Sequence, residues 1–441
     1  VTPGARLALL AAIGLVLVAT SWAGPAVHLG LGDIAFAALA IAQGLLVLAA
    51  LPLALRCAPG LALAVTAAVA VAMRLAVLPA PPHLSTDAYR YVWDGRVQVA
   101  GINPYRHIPT APALQALRDE AIFPHINRAD YAPTIYPPAA QILFQAVARI
   151  SDSLLAMRLA FVLCEVVIVA VLLDLLRRIG QPALRVLAYA WHPLALWEIA
   201  GSGHLDAAMI AAMMAGLWLA LVPGRRLLAA AVLAVAALIK PPAAIALAVT
   251  WRAWDWRAPA VAIGVAVALY LPYLSVGAGV LGFLPGYLGE ERIATAEGFW
   301  MVSLLKALFG PLAFATPVYL ALALGVVGAL AFRVALHPDR TPEAVLTRLA
   351  WALFAFVFLL SPDYPWYWLI LLPFVSLLGF APGWVATIFA FVLYDVIDEG
   401  FEVDFLLRDT ALHLAILASL PFALRRPRAA RHTLANQGAT S

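Results

Sequence analysis

Residues 154–176 read LLAMRLAFVLCEVVIVAVLLDLL, and Arg177, Arg178 and Arg185 follow directly. A membrane-spanning helix needs about 20 predominantly apolar residues, and arginines gather on its cytoplasmic side. Runs of the same kind recur at 7–22, 34–55, 61–78, 183–199, 205–222, 227–250, 258–275, 312–334, 346–360, 366–380, 383–395 and 410–424. Of the 441 residues, 64% are hydrophobic and 12% charged, against about 25% charged in soluble proteins. A soluble fold of this composition would expose more apolar surface than water tolerates. The same numbers exclude a nucleic-acid binder, a disordered chain and a disulfide scaffold. The two cysteines, Cys57 and Cys164, lie in or beside apolar runs and read as isolated membrane-buried thiols. The chain is therefore an all-α polytopic membrane protein.

The charges orient it. With Arg6 inside, Arg56, Arg177-Arg178-Arg185, Arg225-Arg226, Arg252/Arg257, Arg333/Arg340/Arg348 and Arg425-Arg426-Arg428-Arg431 all fall inside. This parity requires that 227–250, interrupted by Lys240-Pro241-Pro242, cross an even number of times, and that 138–150 lie in the interface. Paired prolines cannot continue a helix without losing backbone bonds, so 227–250 is expected as a hairpin of two short helices. The count is then 12–14 transmembrane segments with both termini cytoplasmic, the first run being a retained signal anchor. Four regions follow: 1–78, three transmembrane helices; 79–153, an extracytoplasmic loop with interfacial helices; 154–424, the remaining bundle; and 425–441, a basic cytoplasmic tail. Within the loop, Asp87–Ala100 and Ala113–Phe123 can each form a short helix. The acidic segment with Asp395, Asp398, Glu399, Glu402, Asp404 and Asp409 also falls outside.

The polar residues that could carry chemistry converge on that outer face. In His83-Leu-Ser-Thr-Asp87-Ala-Tyr-Arg90-Tyr91-Val-Trp-Asp94, Ser85 or Thr86 can cap a helix on which Asp87, Arg90, Tyr91 and Asp94 share one face. A carboxylate with an arginine one turn away stays ionised in a partly dehydrated site and can act as a base. Arg106 and Tyr136, in Asn-Pro-Tyr-Arg106 and Thr-Ile-Tyr136-Pro-Pro, can line a sugar or phosphate site. Glu198, His204 and Asp206 reach the same face after Trp191-His192-Pro193, and ionisable groups beside spans are functional hypotheses by default. His204 and Asp206 lack a third ligand at metal-binding spacing. Lys240, one of only two lysines, sits at a broken helix where it can neutralise a phosphate. Asp363, Tyr364 and Trp366 lie in the aromatic outer turn Ser361-Pro-Asp-Tyr-Pro-Trp-Tyr-Trp368. Arg74, near the end of the third run, can reach an anionic headgroup. Walker A, dinucleotide and His-Glu-X-X-His motifs are missing.

Asp87-Ala-Tyr-Arg-Tyr-Val-Trp-Asp-Gly-Arg-Val, Gly-Ile-Asn-Pro-Tyr, Thr-Ile-Tyr-Pro-Pro, Trp-His-Pro, Gly-His204-Leu-Asp206, Lys240-Pro-Pro and Ser-Pro-Asp-Tyr-Pro-Trp-Tyr follow one another in a familiar order. Over roughly residues 80 to 380 the chain resembles the GT-C superfamily of integral-membrane glycosyltransferases. The nearer resemblance is to the polyprenol-phosphate-mannose-dependent mannosyltransferases of glycosyltransferase family 87. The resemblance implies an inverting transfer of a sugar, mannose by default, from a polyprenyl-phosphate-linked donor to a lipid or glycan hydroxyl outside a bacterial inner membrane. It makes Asp87, the acid of the first long loop, the general base. Many relatives carry an acidic pair there, whereas the second acid here is Asp94, seven residues on. Cations must steady the departing phosphate: Lys240 and His204, with Arg90 and Arg74 assisting. Asp94, Tyr136, Arg106, Asp206, Glu198, Asp363, Tyr364 and Trp366 are expected to bind substrate. No metal and no cofactor is expected, membrane lipids surround the protein, and nucleic acid is not a partner. The rival reading is a transporter or flippase of lipid-linked sugars; broken helices suit both, but the polar groups gather on one face and no half-repeat is visible.

Overall fold

The computed structural model describes residues 2–293, 298–310, 315–362, 364–394 and 402–424. Asp363, the acidic residues 395–399 and the 425–441 tail lie outside the described residues. The described secondary structure is helical throughout. Seven helices are long and apolar enough to cross a membrane, or eight if Pro193–Gly201 and Asp206–Ala220, bent by 118°, form one span. Their lipid-facing positions are exposed leucine, valine and isoleucine, among them Leu163, Val166, Ile263 and Leu322, the pattern of a bundle solvated by lipid.

The first helix, α1 (Pro3–Ala54), is broken at Gly32 and doubles back on itself. Gln43 donates to Thr20 Oγ1 at 2.9 Å, and Arg6 donates to the Arg56 carbonyl at 3.3 Å, so both ends of this pair lie at one level. Helix α2 (Pro59–Val77) runs back toward the turn at Gly32, and the His83 ring just beyond its end lies 4.9 Å from that of His28. The expected 12–14 segments would further require the two arms of α1 and the short apolar helices Arg226–Ile239, Pro241–Thr250, Pro365–Leu378 and Ala381–Leu393 each to count as a segment, and these short helices fall below the length of a simple span.

The segment 227–250 is a hairpin. Arg226–Ile239 stops at Lys240, because Pro241 and Pro242 supply no N–H to the ladder, and the chain returns as the 3₁₀ helix Pro241–Thr250. Arg226 closes its base by donating to the Thr250 carbonyl at 3.1 Å.

Between α2 and the next long helix lie α3 (Asp87–Val99) and α4 (Pro138–Ile150), packed face to face. Thirteen residues make α4 too short to span, in keeping with an interfacial position. The two backbones touch at Gly95, where a Cβ would stand 2.5 Å from the Phe144 carbonyl oxygen; no larger residue fits. Tyr91 stacks on Phe144, centroids 4.7 Å apart. The expected helix at Ala113–Phe123 is instead two 3₁₀ turns, Pro112–Leu117 and Phe123–His125. Arg96 binds the Leu117 carbonyl and the Asp119 carboxylate, and Asp119 accepts from the Ile122 and Phe123 amides. These side-chain bonds take the backbone groups a helix would have used.

Helix α5 (Leu154–Arg178) carries Arg158 on its buried face. Its guanidinium donates to the carbonyls of Val77, Leu78, Ala80 and Ala200. One side chain thereby ties the end of α2, where the 79–137 segment begins, to the turn before Asp206.

Candidate functional site

The 79–137 segment, the 201–206 turn, the tip of the 226–250 hairpin, the 270–293 stretch and the 361–367 turn enclose a cavity of about 770 Å³. One wall is polar, with Asp87, Asn127, Arg128, Lys240 and Glu291; another is aromatic, with Tyr136, Tyr287, Tyr364, Trp366 and Tyr367. The remainder is largely aliphatic, including Leu205, Ile239, Val280, Leu281, Leu284 and Leu360, with Phe356 among them. The helices Arg257–Tyr270 and Leu271–Leu281, which border it, bury only Ala258 and Tyr273 respectively.

Asp87 opens α3 and is half-buried on the cavity wall. Ser85 Oγ accepts from its amide at 3.2 Å, a local turn just ahead of the helix, whereas the N-cap residue Thr86 makes no side-chain cap bond. Asn127 Nδ2 donates to Asp87 Oδ1 at 2.7 Å, and Oδ2 has no hydrogen-bond partner among the described residues. One oxygen is thus fixed and the other is available to a hydroxyl entering the cavity.

Asp206 and Lys240 meet because of their places on successive antiparallel helices. Asp206 is the first residue of Asp206–Ala220, and Lys240 caps the C-terminus of Arg226–Ile239, positions that the helix dipoles favour for an anion and a cation. Lys240 Nζ lies 2.9 and 2.7 Å from the two Asp206 oxygens and 4.6 Å from the Tyr367 ring centroid. Tyr367 is held in turn by a 2.6 Å hydroxyl contact with Tyr287.

Of the other expected site residues, Arg90 borders the cavity but is engaged: it donates to Asp94 at 2.9 Å and twice to the Ala132 carbonyl. Asp94 is buried between α3 and α4, accepting also from Thr134 and Gln141. Its carboxylate is directed into the scaffold, so it orders the 132–134 turn and does not face the cavity. Tyr136 lies on the wall, with its phenol far above its usual pKa through burial and the nearby Asp87 charge. Tyr364 and Trp366 also line it, stacked at 4.5 Å with planes 11° apart; burial and Glu291 push the Tyr364 hydroxyl up to about 12.

His204 lies behind this platform, its ring 4.4 Å from Trp366, with Nδ1 3.0 Å from Glu198 Oε2. Glu198 accepts from Tyr394 at 2.6 Å. His204, Glu198 and Tyr394 do not line the cavity, whereas Trp366, against which His204 packs, does. Arg74 is elsewhere: it pairs with Glu165 inside the bundle (2.7 and 3.2 Å) and donates to the Ala190 carbonyl. Arg106 is exposed beside Ser275. His192 accepts from the Leu194 amide and reaches Thr387, so it caps the break before Pro193.

Several contributors escaped the sequence reading. Asn127 and Arg128 sit in a polar stretch whose one signal is its position inside the long loop. Arg128 has a left-handed backbone, φ 53°, pairs with Glu290 at 2.6 Å and Glu291 at 3.4 Å, and approaches the Tyr287 ring. Burial raises the Glu291 carboxyl above its usual range, against the pull of Arg128. His83, also on the wall, is lowered to about 4 by burial and by His28, whose ring is 4.9 Å away. Among the described residues no three His, Cys, Asp or Glu side chains are grouped to share a metal ion.

No curated protein and no solved structure matches the chain. Residues 6–257 match the family alpha-(1->6)-mannopyranosyltransferase, N-terminal domain. That stretch is more than half of the chain and includes every element that carries Asp87, His204, Asp206 and Lys240, and by it this multi-pass membrane protein belongs to the alpha-(1->6)-mannopyranosyltransferase family, glycosyltransferases of the GT-C type that act on mannose.

Proposed function

We propose that the protein transfers mannose from a polyprenyl-phosphate-linked donor to a hydroxyl of a mannose-bearing lipid or glycan, forming an α-(1→6) bond with inversion at the anomeric carbon. The observation that carries this reading is the single cavity bordered by both Asp87 and Lys240. Asp87 takes the proton of the acceptor hydroxyl as its oxygen bonds to the anomeric carbon. The bond from that carbon to the phosphate oxygen breaks on the opposite side, and the polyprenyl phosphate leaves with the electron pair. A base and a leaving group on opposite faces need only one carboxylate, and such a base contributes about 10²–10⁴-fold.

Lys240 has three N–H donors, two of them spent on Asp206; the third serves the departing phosphate. Asp206 holds the ammonium in place before substrate arrives, so the cation need not reorganise during the reaction. The stacked Tyr364 and Trp366 give a sugar ring a flat apolar face, and the aliphatic wall suits the first units of a prenyl chain. His204, Arg74, Asp94, Arg106 and Glu198 then have supporting roles away from the reacting atoms. The arginine-rich turns lie at the end of the bundle away from the cavity, and basic turns collect in the cytoplasm. This arrangement supports a reaction on the extracytoplasmic face of a bacterial inner membrane, with neither nucleotide nor cofactor taking part.

The test is transfer of radiolabelled mannose from polyprenyl-phosphate-mannose to an acceptor lipid extract in nanodiscs, with Asp87→Asn alongside. The amide oxygen of that variant can still accept from Asn127, so the fold is kept while the base is lost. A rate lowered about 10²–10⁴-fold is expected. Unchanged transfer by the folded variant would remove Asp87 as the base; transfer from a nucleotide-linked mannose instead would overturn the donor.

A further inference from the structure

A second cavity, of about 560 Å³, lies where the 220–226, 251–257 and 340–342 segments meet. The helix Arg226–Ile239 has this cavity at one end and Lys240 at the other, about 21 Å apart at 1.5 Å per residue. The second cavity therefore occupies the opposite end of the bundle from the mannosyl-transfer site, and nothing in that reaction uses it.

Four guanidinium groups line it: those of Arg226, Arg252, Arg257 and Arg340. Asp255 is shared between Arg226 and Arg257. Arg252 and Arg340 have no carboxylate partner among the described residues. Arg252 donates to the Val249 and Trp251 carbonyls at 3.3 and 2.8 Å, and Arg340 to those of Val334, at 3.1 Å, and Ala335. Both are half-buried. Burial lowers the pKa of each, and so does a neighbouring arginine, Arg226 for Arg252, against the pull of Asp255, and Arg252 for Arg340. Like charges gathered in a partly dehydrated pocket repel one another until an anion joins them.

The surroundings indicate which anion. Trp254 and Trp256 project from the 251–257 turn and are exposed, and Trp251 packs edge-on against Trp256 at 5.2 Å. Tryptophan of this kind favours the headgroup level of a bilayer. Beside the cavity the outer face of Arg257–Tyr270 exposes Ile263 and Val267, a surface for acyl chains. We propose that this cavity binds an anionic phospholipid, its phosphate held by Arg252 and Arg340 and its acyl chains lying along Arg257–Tyr270. Basic pockets at the ends of transmembrane helices take such headgroups. The bound lipid brackets the base of the hairpin whose tip carries Lys240. The inference rests on the membrane fold and stands whether or not the transfer reaction is as proposed.

The test uses the full chain in neutral detergent, read by native mass spectrometry and by thermal unfolding. Phosphatidylglycerol is expected to give a retained one-to-one adduct and a higher unfolding temperature. Phosphatidylcholine of the same acyl composition, and inorganic phosphate at the same concentration, are expected to give neither. Arg252→Gln with Arg340→Gln should bind phosphatidylglycerol about thirtyfold more weakly, and Arg252→Lys with Arg340→Lys should recover part of that. Arg177→Gln, an exposed arginine paired with Asp174, should leave it unchanged. If the double Gln variant does not fold, Arg252→Gln alone gives the readout, with about a fivefold loss. Equal retention of phosphatidylglycerol by a folded Gln variant, or equal retention of phosphatidylcholine by the wild type, overturns the proposal. An equal shift with inorganic phosphate replaces the lipid with a free anion.

Discussion

Replacing Lys240 by Met, alone and together with Asp206→Leu, separates the architecture of the ion pair from its chemistry. The Asp206 side chain is 3% exposed and that of Lys240 17%, with the ammonium on both carboxylate oxygens. Lys240→Met alone strands a buried carboxylate, and breaking such a pair costs about 3–5 kcal/mol. Replacing both partners by apolar residues of similar volume is often neutral, so the double variant should unfold near the wild-type temperature. Its transfer rate should still be low. Loss of one preorganised donor from developing negative charge costs about 10²–10³-fold, about 2.7–4 kcal/mol of barrier. The assay is the initial rate of mannosyl transfer at saturating donor in nanodiscs, beside thermal unfolding of each variant. A double variant that is as stable as the wild type and as fast would refute the reasoning, making the pair a strut for the hairpin tip and nothing more.

Two further outcomes concern Gly203, in the turn beside the cavity, and His83, on its wall. Gly203 has φ +76°, and a Cβ there would stand 2.9 Å from Arg158 Cγ and 3.2 Å from Ala88 Cβ; Gly203→Ala should cost about 1–3 kcal/mol and lower transfer as well, since the displaced Arg158 ties the Asp87 segment to the Asp206 turn, and unfolding temperature with rate measures both. His83 is lowered from 6.5 to about 4, so the unfolded chain binds the extra proton between those values and stability falls as pH drops through them. The loss is at most about 3 kcal/mol, and unfolding temperatures at pH 7 and pH 5 should differ less in His83→Gln than in the wild type.

The membrane fold was legible because a lipid environment leaves a simple record: long apolar runs, with arginines between them. The hairpin at 226–250 was legible for a covalent reason, two successive prolines without N–H groups. The Asp87 helix was expected over Asp87–Ala100 and runs Asp87–Val99, although Thr86 at its N-cap makes no side-chain bond. Partner choice was not visible. Asp87, Arg90 and Asp94 lie on one face of α3, and the sequence offers no hint that the Ala132 carbonyl, Thr134 and Gln141 draw Arg90 and Asp94 into the scaffold while Asn127 leaves Asp87 at the cavity. Those partners lie 40 to 47 residues away along the chain, most of them in a segment with no periodicity to fix its course. Arg74 illustrates the same limit: a basic residue near a span end suits snorkelling to a headgroup, but Glu165 on α5 turns it inward.

The family match ends at Arg257, and the cavity does not. Before that boundary stand Asp87, Asp206 and Lys240, and Glu291 is the charged group of the cavity wall that stands after it. After the boundary also stand Tyr287, Tyr364, Trp366 and Tyr367, which offer ring faces and phenols. The division is not one of independent parts, because the Tyr367 ring lies over the Lys240 ammonium and Trp366 packs on His204. A cation against an aromatic face gains more when it is desolvated, and the aromatic wall is what keeps water from Lys240 on that side. The later half of the chain thus tunes the electrostatics of the earlier half as well as shaping the cavity. Changes in the 361–367 turn should therefore alter rate and binding together, whereas changes confined to a pure specificity pocket would alter binding alone.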